Sequence, residues 1–578
     1  MSGLSEQQQQ VKVLGSELRG LSPTRVTPMT NNKLDDNDVK LVGTLTGTLT
    51  GHDDKTTTKH DIGLPPNPTH TNKRQPPKSP PPRISGYVNK ITSLEVFNLK
   101  RAYCLIGSLS ATPSSAPTAY KLLVIKKQQV KPELQTYDDP TDYPPNAPNS
   151  SSSTQALLSK ISDDWNDGEP LTPQSSLLTG FGLTSLVRFL DCYYLTVITR
   201  RSKVGSIGGE AVYSIKSFET VPLRGCISTE IMRESGGGNG AQAAGSGAPH
   251  EDGSQGSGSD DKSASGASTK TGGQSADGSL LQTLYNYTKT SLNLGLSPLQ
   301  INELRYTALF SYVDLTKNFF FSYGYDLTRS LECNTIISTT KPYPPPQPEE
   351  RWEWNAHQLA ALERISGGRG PWTLSLIHGA FLQRTVFTPK CQLSVVLVAR
   401  RSRHFAGTRY LKRGTSDLGK VANDCEHEQI LISDTSPHEV YSSYVQVRGS
   451  IPTFWTQESS VTMPKPPIVL NRVDPRYAAT QRHFADLMVR YGSPVVVLDL
   501  VKQSEKRERE VIVGNEYRHA IQYLNSSVSS PACKIRYCAL DYSHISKHRG
   551  LNVSGALEEA ATWAMDQTGF FCSRPRWR

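Results

Sequence analysis

At 578 residues, with a net charge of +10, 36% hydrophobic residues and a mean hydropathy of −0.45, the chain is too long for one domain and too polar to be folded throughout. No apolar run nears the ~20 residues of a membrane-spanning helix. The opening MSGLSEQQQQ lacks the apolar core of a secretory leader, and nine cysteines without a Cys-x-x-Cys pair speak against a zinc site and for a reducing compartment. The totals point to a cytosolic protein with anionic partners, lipid headgroups or nucleic acid.

Residues 1–86, rich in Gln, Thr, Asn and Pro and ending in RQPPKSPPPR, hold almost nothing that could form a core and are expected to be disordered. Ser93–Leu99, Ala102–Gly107 and Tyr120–Ile125 follow as three short strands of a meander, and Leu157–Trp165 as a helix. Phe189–Thr199 reads as a strand, Lys203–Gly209 as a turn and Glu210–Ile215 as its hairpin partner. Residues 234–279 are Gly, Ser, Ala and Asp without an aromatic, a flexible insertion within a domain. Leu299–Leu309 reads as a helix, with Ser297 as N-cap and Pro298 at its first position.

The aromatic run Asn318–Leu327 is core packing or a base-stacking platform, and Lys341–Pro348 is a stiff linker. Beyond it, Trp372–His378, Leu393–Ala399, Tyr444–Arg448 and Pro494–Leu500 read as strands. Pro475–Tyr491, Glu516–Leu524 and Gly555–Gln567 read as helices. That alternation predicts an α/β domain over 351–578, with a smaller mixed α+β lobe over 87–340 and a linker over 341–350.

Ala399–Gln429 concentrates the chemistry. Six of its first fifteen residues are cationic: Arg400, Arg401, Arg403, Arg409, Lys412 and Arg413. A strand that delivers arginines into a loop punctuated by Gly407, Gly414 and Gly419 suits a phosphate, which the guanidinium fork binds bidentately. A solvated basic surface has the same composition. Arg409 and Arg413, four apart, would share a helical face and could meet a phosphate there; their alternative is pairing with Glu426 or Glu428. Asp424, Glu426 and Glu428 around His427 could form an acid/base or metal cluster, but alternating acids fit a solvated face better. His378, His404 and His483 show no partner spacing and are expected to be structural.

Several colinear blocks over roughly residues 90–575 carry a resemblance. They include Tyr193-Tyr-Leu-Thr-Val-Ile-Thr-Arg-Arg201, Phe320-Phe-Ser-Tyr-Gly-Tyr-Asp-Leu-Thr328, Arg401-Ser-Arg-His-Phe-Ala-Gly-Thr-Arg-Tyr-Leu-Lys-Arg-Gly414, Val421-Ala-Asn-Asp-Cys-Glu-His-Glu-Gln429 and Ser443-Tyr-Val-Gln-Val-Arg-Gly-Ser-Ile-Pro452. With Pro464-Lys-Pro-Pro-Ile468 and Tyr491-Gly-Ser-Pro494, the chain resembles the Sac-domain phosphoinositide phosphatases, most closely the branch acting on phosphatidylinositol 3,5-bisphosphate.

The resemblance implies a small N-terminal lobe on an α/β phosphatase domain that removes the 5-phosphate of that lipid without metal or cofactor. It implies peripheral work on endosomal and lysosomal or vacuolar membranes, beside a HEAT-repeat scaffold and the phosphatidylinositol 3-phosphate 5-kinase; nucleic acid is set aside. Arg401, Arg403, Arg409, Lys412 and Arg413 become headgroup candidates, and Asn423, Glu426 and Gln429 are expected to shape the pocket.

Family members hydrolyse through a Cys-x5-Arg loop whose thiolate attacks phosphorus. Such a loop is expected beyond the equivalent of Phe570-Phe571. The one such string here, Cys572–Arg578, holds a proline and a tryptophan where amides must curl inward, so Cys572 is rejected as a nucleophile. The chain is therefore expected to be an incomplete copy without turnover, or alternatively a non-catalytic subunit of the kinase and phosphatase complex.

Overall fold

The computed structural model describes residues 40–41, 90–109, 119–127, 150–224, 297–340, 342, 346–387, 389, 392–404, 413–435, 438–457, 466–548 and 552–573. The expected insertion 234–279 lies outside them. So does the expected disordered tail except Lys40–Leu41 (β1), which pairs in parallel with a strand near the other end of the chain.

The expected meander is β2 (Ile91–Asn98), β3 (Ala102–Leu109) and β4 (Ala119–Lys126), completed by β5 (Leu178–Gly180) in a sheet of order β4-β3-β2-β5. Helix α1 (Ser150–Trp165) covers one face, packing Leu158 and Ile161 on Phe97, Ile106 and Val124. The other face meets β6 (Leu183–Arg188) and the first half of β7 (Tyr193–Ile207) through Val96, Leu105, Leu123, Leu186 and Leu195. Each such leucine contributes about 1.5–3 kcal/mol by leaving water.

The hairpin turn is tighter than Lys203–Gly209. Strand β7 runs on to Ile207, Gly208 and Gly209 adopt φ +57° and +82°, and β8 (Glu210–Leu223) returns. Two successive residues with positive φ match the twist of the flanking strands, and glycine adopts them without Cβ strain. Helix α2 (Pro298–Ser311) begins as expected: Ser297 accepts from Gln300 N, and the Gln300 side chain returns the bond to the Ser297 backbone N–H. The aromatic run forms β9 (Phe319–Ser322) with Phe319 and Phe321 buried, so it is core and no base-stacking platform.

Helices α3 (Leu331–Thr340) and α4 (Ala356–Ile365) lead to β10 (Ile377–Phe387). The expected strand over Trp372–His378 begins only at Ile377. Before it, the Asn355 amide donates to Leu374 O and accepts from Leu376 N, at 2.9 and 2.8 Å, supplying the partners that a ladder would otherwise give. Strands β11 (Gln392–Arg401), β12 (Cys425–Thr435) and β13 (His438–Arg448) follow as antiparallel neighbours.

One sheet of nine strands, order β6-β7-β8-β9-β10-β11-β12-β13 with Phe571–Ser573 as β18 at the far edge, therefore crosses the sequence position of the Pro-rich linker. Its two halves join where Ile377 and His378 pair with Phe320 and Phe319. The short hairpin β14 (Trp455–Thr456) and β15 (Val469–Leu470) precedes α5 (Ala478–Tyr491). Strand β16 (Val496–Asp499) pairs in parallel with β17 (Arg536–Ala539), and α6 (Glu510–Ser526) connects them. The fold is thus mixed α/β with large antiparallel sheets; among the described residues, parallel strand pairing occurs in this small unit, with one isolated parallel bridge between Leu183 and Thr373 elsewhere. Helices α7 (Tyr542–Lys547) and α8 (Val553–Thr568) lead to β18 (Phe571–Ser573), which pairs with Tyr441–Ser443 at the sheet edge.

Candidate functional site

Strand side chains alternate between faces, and the register of β11 to β13 decides which residues of the basic stretch can meet a ligand. Arg400 lies opposite Glu426, and Val398 opposite Glu428, so all four point to the face that packs on Tyr325, Leu327 and Leu331. Arg400 is fully buried. Its Nη1 donates to Glu426 Oε1 at 2.7 Å, and its Nη2 to Glu428 Oε2 at 2.6 Å and Arg329 O at 2.8 Å; Nε donates to Leu327 O. Glu428 Oε1 accepts from Leu331 N, the first residue of α3, and from the Ser443 hydroxyl, both at 2.7 Å. Glu426 also accepts from the Tyr491 hydroxyl at the end of α5.

Burial by itself would lower the Arg400 pKa, but the Glu428 and Glu426 carboxylates raise it, so the guanidinium stays charged. Burial pushes the Glu426 carboxyl up, against the pull of Arg400. This triad is structure, joining two strands to the start of α3.

A second buried network lies beside it. The Arg351 guanidinium sits 3.2 Å from Asp424 and 2.6 Å from Asp486, Arg490 is 2.9 Å from Asp486, and both arginines lie 5.7 Å from the Trp352 ring. Burial raises the Asp424 pKa against Arg351. For Asp486 the burial effect is outweighed by Arg490, Arg351 and Lys420, which hold it low. The expected solvated acidic face is thus corrected. Asp424, Glu426 and Glu428 are all at most 3% exposed, each beside an arginine that the sequence cannot pair with it.

Four expected site residues lie at or just beyond the ends of β11 and β12 or in the segment between them. Arg401 closes β11, half-buried and on the opposite face from Arg400. Arg403 N donates to Arg351 O at 2.9 Å, and its guanidinium pairs with Glu350 and donates to Glu350 O. Arg413 is exposed beside Gly414, whose N–H donates to the Ser450 hydroxyl at 2.8 Å. Asn423 is exposed in a left-handed turn at φ +55° just before β12. Arg409 and Lys412 lie outside the described residues, and with Arg409 so does the expectation that it shares a helical face with Arg413.

Glu426 is buried beneath this end, and Gln429 is exposed on the opposite face of β12, so these two do not share a pocket wall. No group of three or more His, Cys, Asp or Glu among the described residues could hold a metal. Sequence reasoning missed Arg351, Asp486 and Arg490. Tyr491 stands in a quoted block, but nothing in that block pairs its hydroxyl with Glu426.

Cys572 sits in β18, opposite Ser442. An extended, hydrogen-bonded strand does not curl successive amides around a phosphate. Among the described residues, this sheet end carries Arg401, Arg403 and Arg413, side chains of the kind that bind phosphate.

Residues 181–547 match the family model described as SacI homology domain. Phosphatidylinositol-3-phosphatase SAC1 of Arabidopsis thaliana is 31% identical over 509 residues, covering 87% of this chain and 46% of the plant protein. Phosphoinositide phosphatase SAC2 of the same plant is 31% identical over 455 residues, 78% of this chain and 46% of its own. The polyphosphoinositide phosphatase of Schizosaccharomyces pombe is 43% identical over 274 residues, 46% of this chain and 32% of the yeast protein. The chain spans less than half the length of each of these relatives.

Proposed function

The chain belongs to the Sac-domain phosphoinositide phosphatase family, and from that premise we propose that it serves removal of the 5-phosphate from phosphatidylinositol 3,5-bisphosphate at endosomal and lysosomal or vacuolar membranes. The family match over residues 181–547 carries this reading. The 43% identity over 274 residues to the yeast polyphosphoinositide phosphatase supports the choice of a polyphosphorylated lipid. Arg401, Arg403 and Arg413, at the end of β11 and in the segment between β11 and β12, are the headgroup ligands, with Arg409 and Lys412 of the same stretch beside them.

These 578 residues contain one Cys-x5-Arg string, and its cysteine stands in an edge strand. We therefore infer that this chain holds the headgroup without hydrolysing it. The same observation supports a second reading, a non-catalytic subunit beside a HEAT-repeat scaffold and the 5-kinase. Phosphate release from short-chain phosphatidylinositol 3,5-bisphosphate is the test. Release is expected to match a protein-free blank; turnover that disappears in Cys572→Ser would overturn the inference.

A further inference from the structure

We propose that Arg401, Arg448 and His378 form a phosphate-binding row on the face of the large sheet opposite the buried Arg400 triad. The register places them. Arg401 of β11 lies opposite Cys425 of β12, and Cys425 lies opposite Arg448 of β13. On the other side of Arg401, the pairing of Gly379 with Arg400 brings His378 of β10 alongside it. Four neighbouring strands thus present His378, Arg401, Cys425 and Arg448 in one transverse line. At ~4.8 Å per strand, the two arginine Cα atoms stand about 10 Å apart, a gap that two guanidinium forks can close over one phosphate.

The charges along this line are uncompensated. Among the described residues, Arg400 is paired with Glu426 and Glu428, Arg351 with Asp424 and Asp486, Arg403 with Glu350, and Arg490 with Asp486. Neither Arg401 nor Arg448 has a carboxylate or carbonyl partner among those residues. Asp424 and Glu426, adjacent in sequence to Cys425, are already committed to Arg351 and Arg400. Like charges held close across a sheet repel, and a bound anion removes that repulsion.

His378 adds a donor. Its ring packs against Phe319 and Trp354, with centroids at 4.7 and 5.0 Å, and its Nδ1 is buried without a partner among the described residues. Burial, then Arg401, lowers its pKa, so the imidazole is neutral at neutral pH and offers one N–H. His427 lies next to the row, its Nε2 3.8 Å from Cys425 Sγ.

The floor of the row cannot attack what it binds. Cys425 is 8% exposed, and burial raises its thiol pKa even though Arg448 and Arg401 pull the other way. The row is a binding site, not a second phosphatase centre. The row shares Arg401 with the lipid reading above and adds Arg448 and His378 to it, and it rests on that reading only to name one carrier of the phosphate.

The test is titration of the full 578-residue chain with inorganic phosphate and, separately, co-sedimentation with phosphatidylcholine vesicles that carry or lack a phosphatidylinositol bisphosphate. All measurements are made at matched ionic strength. Arg401→Gln and Arg448→Gln are each expected to weaken binding about tenfold or more. The unfolding midpoint of Arg448→Gln should stay in place, because that side chain is exposed. Arg384→Gln, which removes an exposed cation elsewhere on the sheet, should leave binding unchanged.

Binding of inorganic phosphate assigns the row to free phosphate, and binding confined to bisphosphate vesicles assigns it to the lipid headgroup. Equal affinity in wild type and both row variants, an equal loss in Arg384→Gln, or no binding in either arm overturns the proposal. No arm reads hydrolysis, so failure of the phosphatase reading leaves the result standing.

Discussion

The guanidinium of Arg400 and the carboxylate of Glu428 meet at 2.6 Å, and neither side chain is exposed to solvent. Glu428 spends its other oxygen on the first N–H of α3 and on Ser443, while Arg400 reaches Glu426 and two carbonyls of the segment before α3. The pair therefore fixes the position of α3 against β11 and β12, and with it the sheet end that carries the exposed cations.

Removing the cation strands two buried carboxylates. Arg400→Met is expected to destabilise the fold by about 3–5 kcal/mol, the usual effect of leaving a buried ion without its partner. Glu428→Gln keeps an acceptor for Leu331 N and Ser443 and should cost less than Glu428→Ala. Urea unfolding decides both: the midpoint should fall most in Arg400→Met with the slope unchanged. A midpoint that stays in place there would mean that the triad does not hold the sheet end together.

His483 gives a pH signature. It is buried on α5, and its Nδ1 lies 3.1 Å from Gly419 O, which accepts the ring N–H. Burial lowers its pKa from 6.5 to about 4, and the bond to Gly419 opposes this only in part. A group with a depressed folded pKa contributes stability that is present above its unfolded pKa and is lost as pH falls through the folded one. Folding stability should therefore decline from pH 6.5 to about 4, by up to about 3 kcal/mol from this residue. In His483→Gln that part of the slope should be missing, while stability at pH 7 falls because the ring's packing is lost. Chemical denaturation across the window, wild type against variant, reads the difference directly.

Much of this arrangement was legible in the residues, and the rest was hidden for identifiable reasons. Helix α2 announced itself by Ser297 and Pro298, and the structure adds Gln300, which completes the cap within the same four residues. Strands β2 to β4 did so by their apolar runs. The pairing of Arg400 with Glu426 and Glu428 spans more than twenty residues of sequence, and Cys-Glu-His-Glu-Gln offers no apolar face to say which side of β12 is inside. Alternation gave two faces but not their environment, so buried acids were read as solvated ones. The joining of β9 to β10 rests on a register set by residues more than fifty positions apart, which local periodicity does not encode.

Gly419 is one point where the loop and α5 are locked together. It has φ +73°, and a Cβ there would stand 2.6 Å from His483 N and 2.9 Å from Ala479 O. Both obstacles are helix backbone, which cannot swing away as a flexible side-chain tip can. Gly367 has the same φ of +73° with nothing within 4 Å, so it isolates the conformational part of the effect. Gly367→Ala is expected to cost about 1–2 kcal/mol, the strain of a left-handed L-residue. Gly419→Ala should cost clearly more, because α5 must also shift and the bond from His483 must lengthen. Thermal unfolding of the two variants side by side is the measurement. Equal losses would show that the close approach of this loop to α5 adds nothing beyond the backbone conformation. A larger loss in Gly419→Ala, with the acid-side slope assigned to His483 reduced as well, would show that one contact sets both.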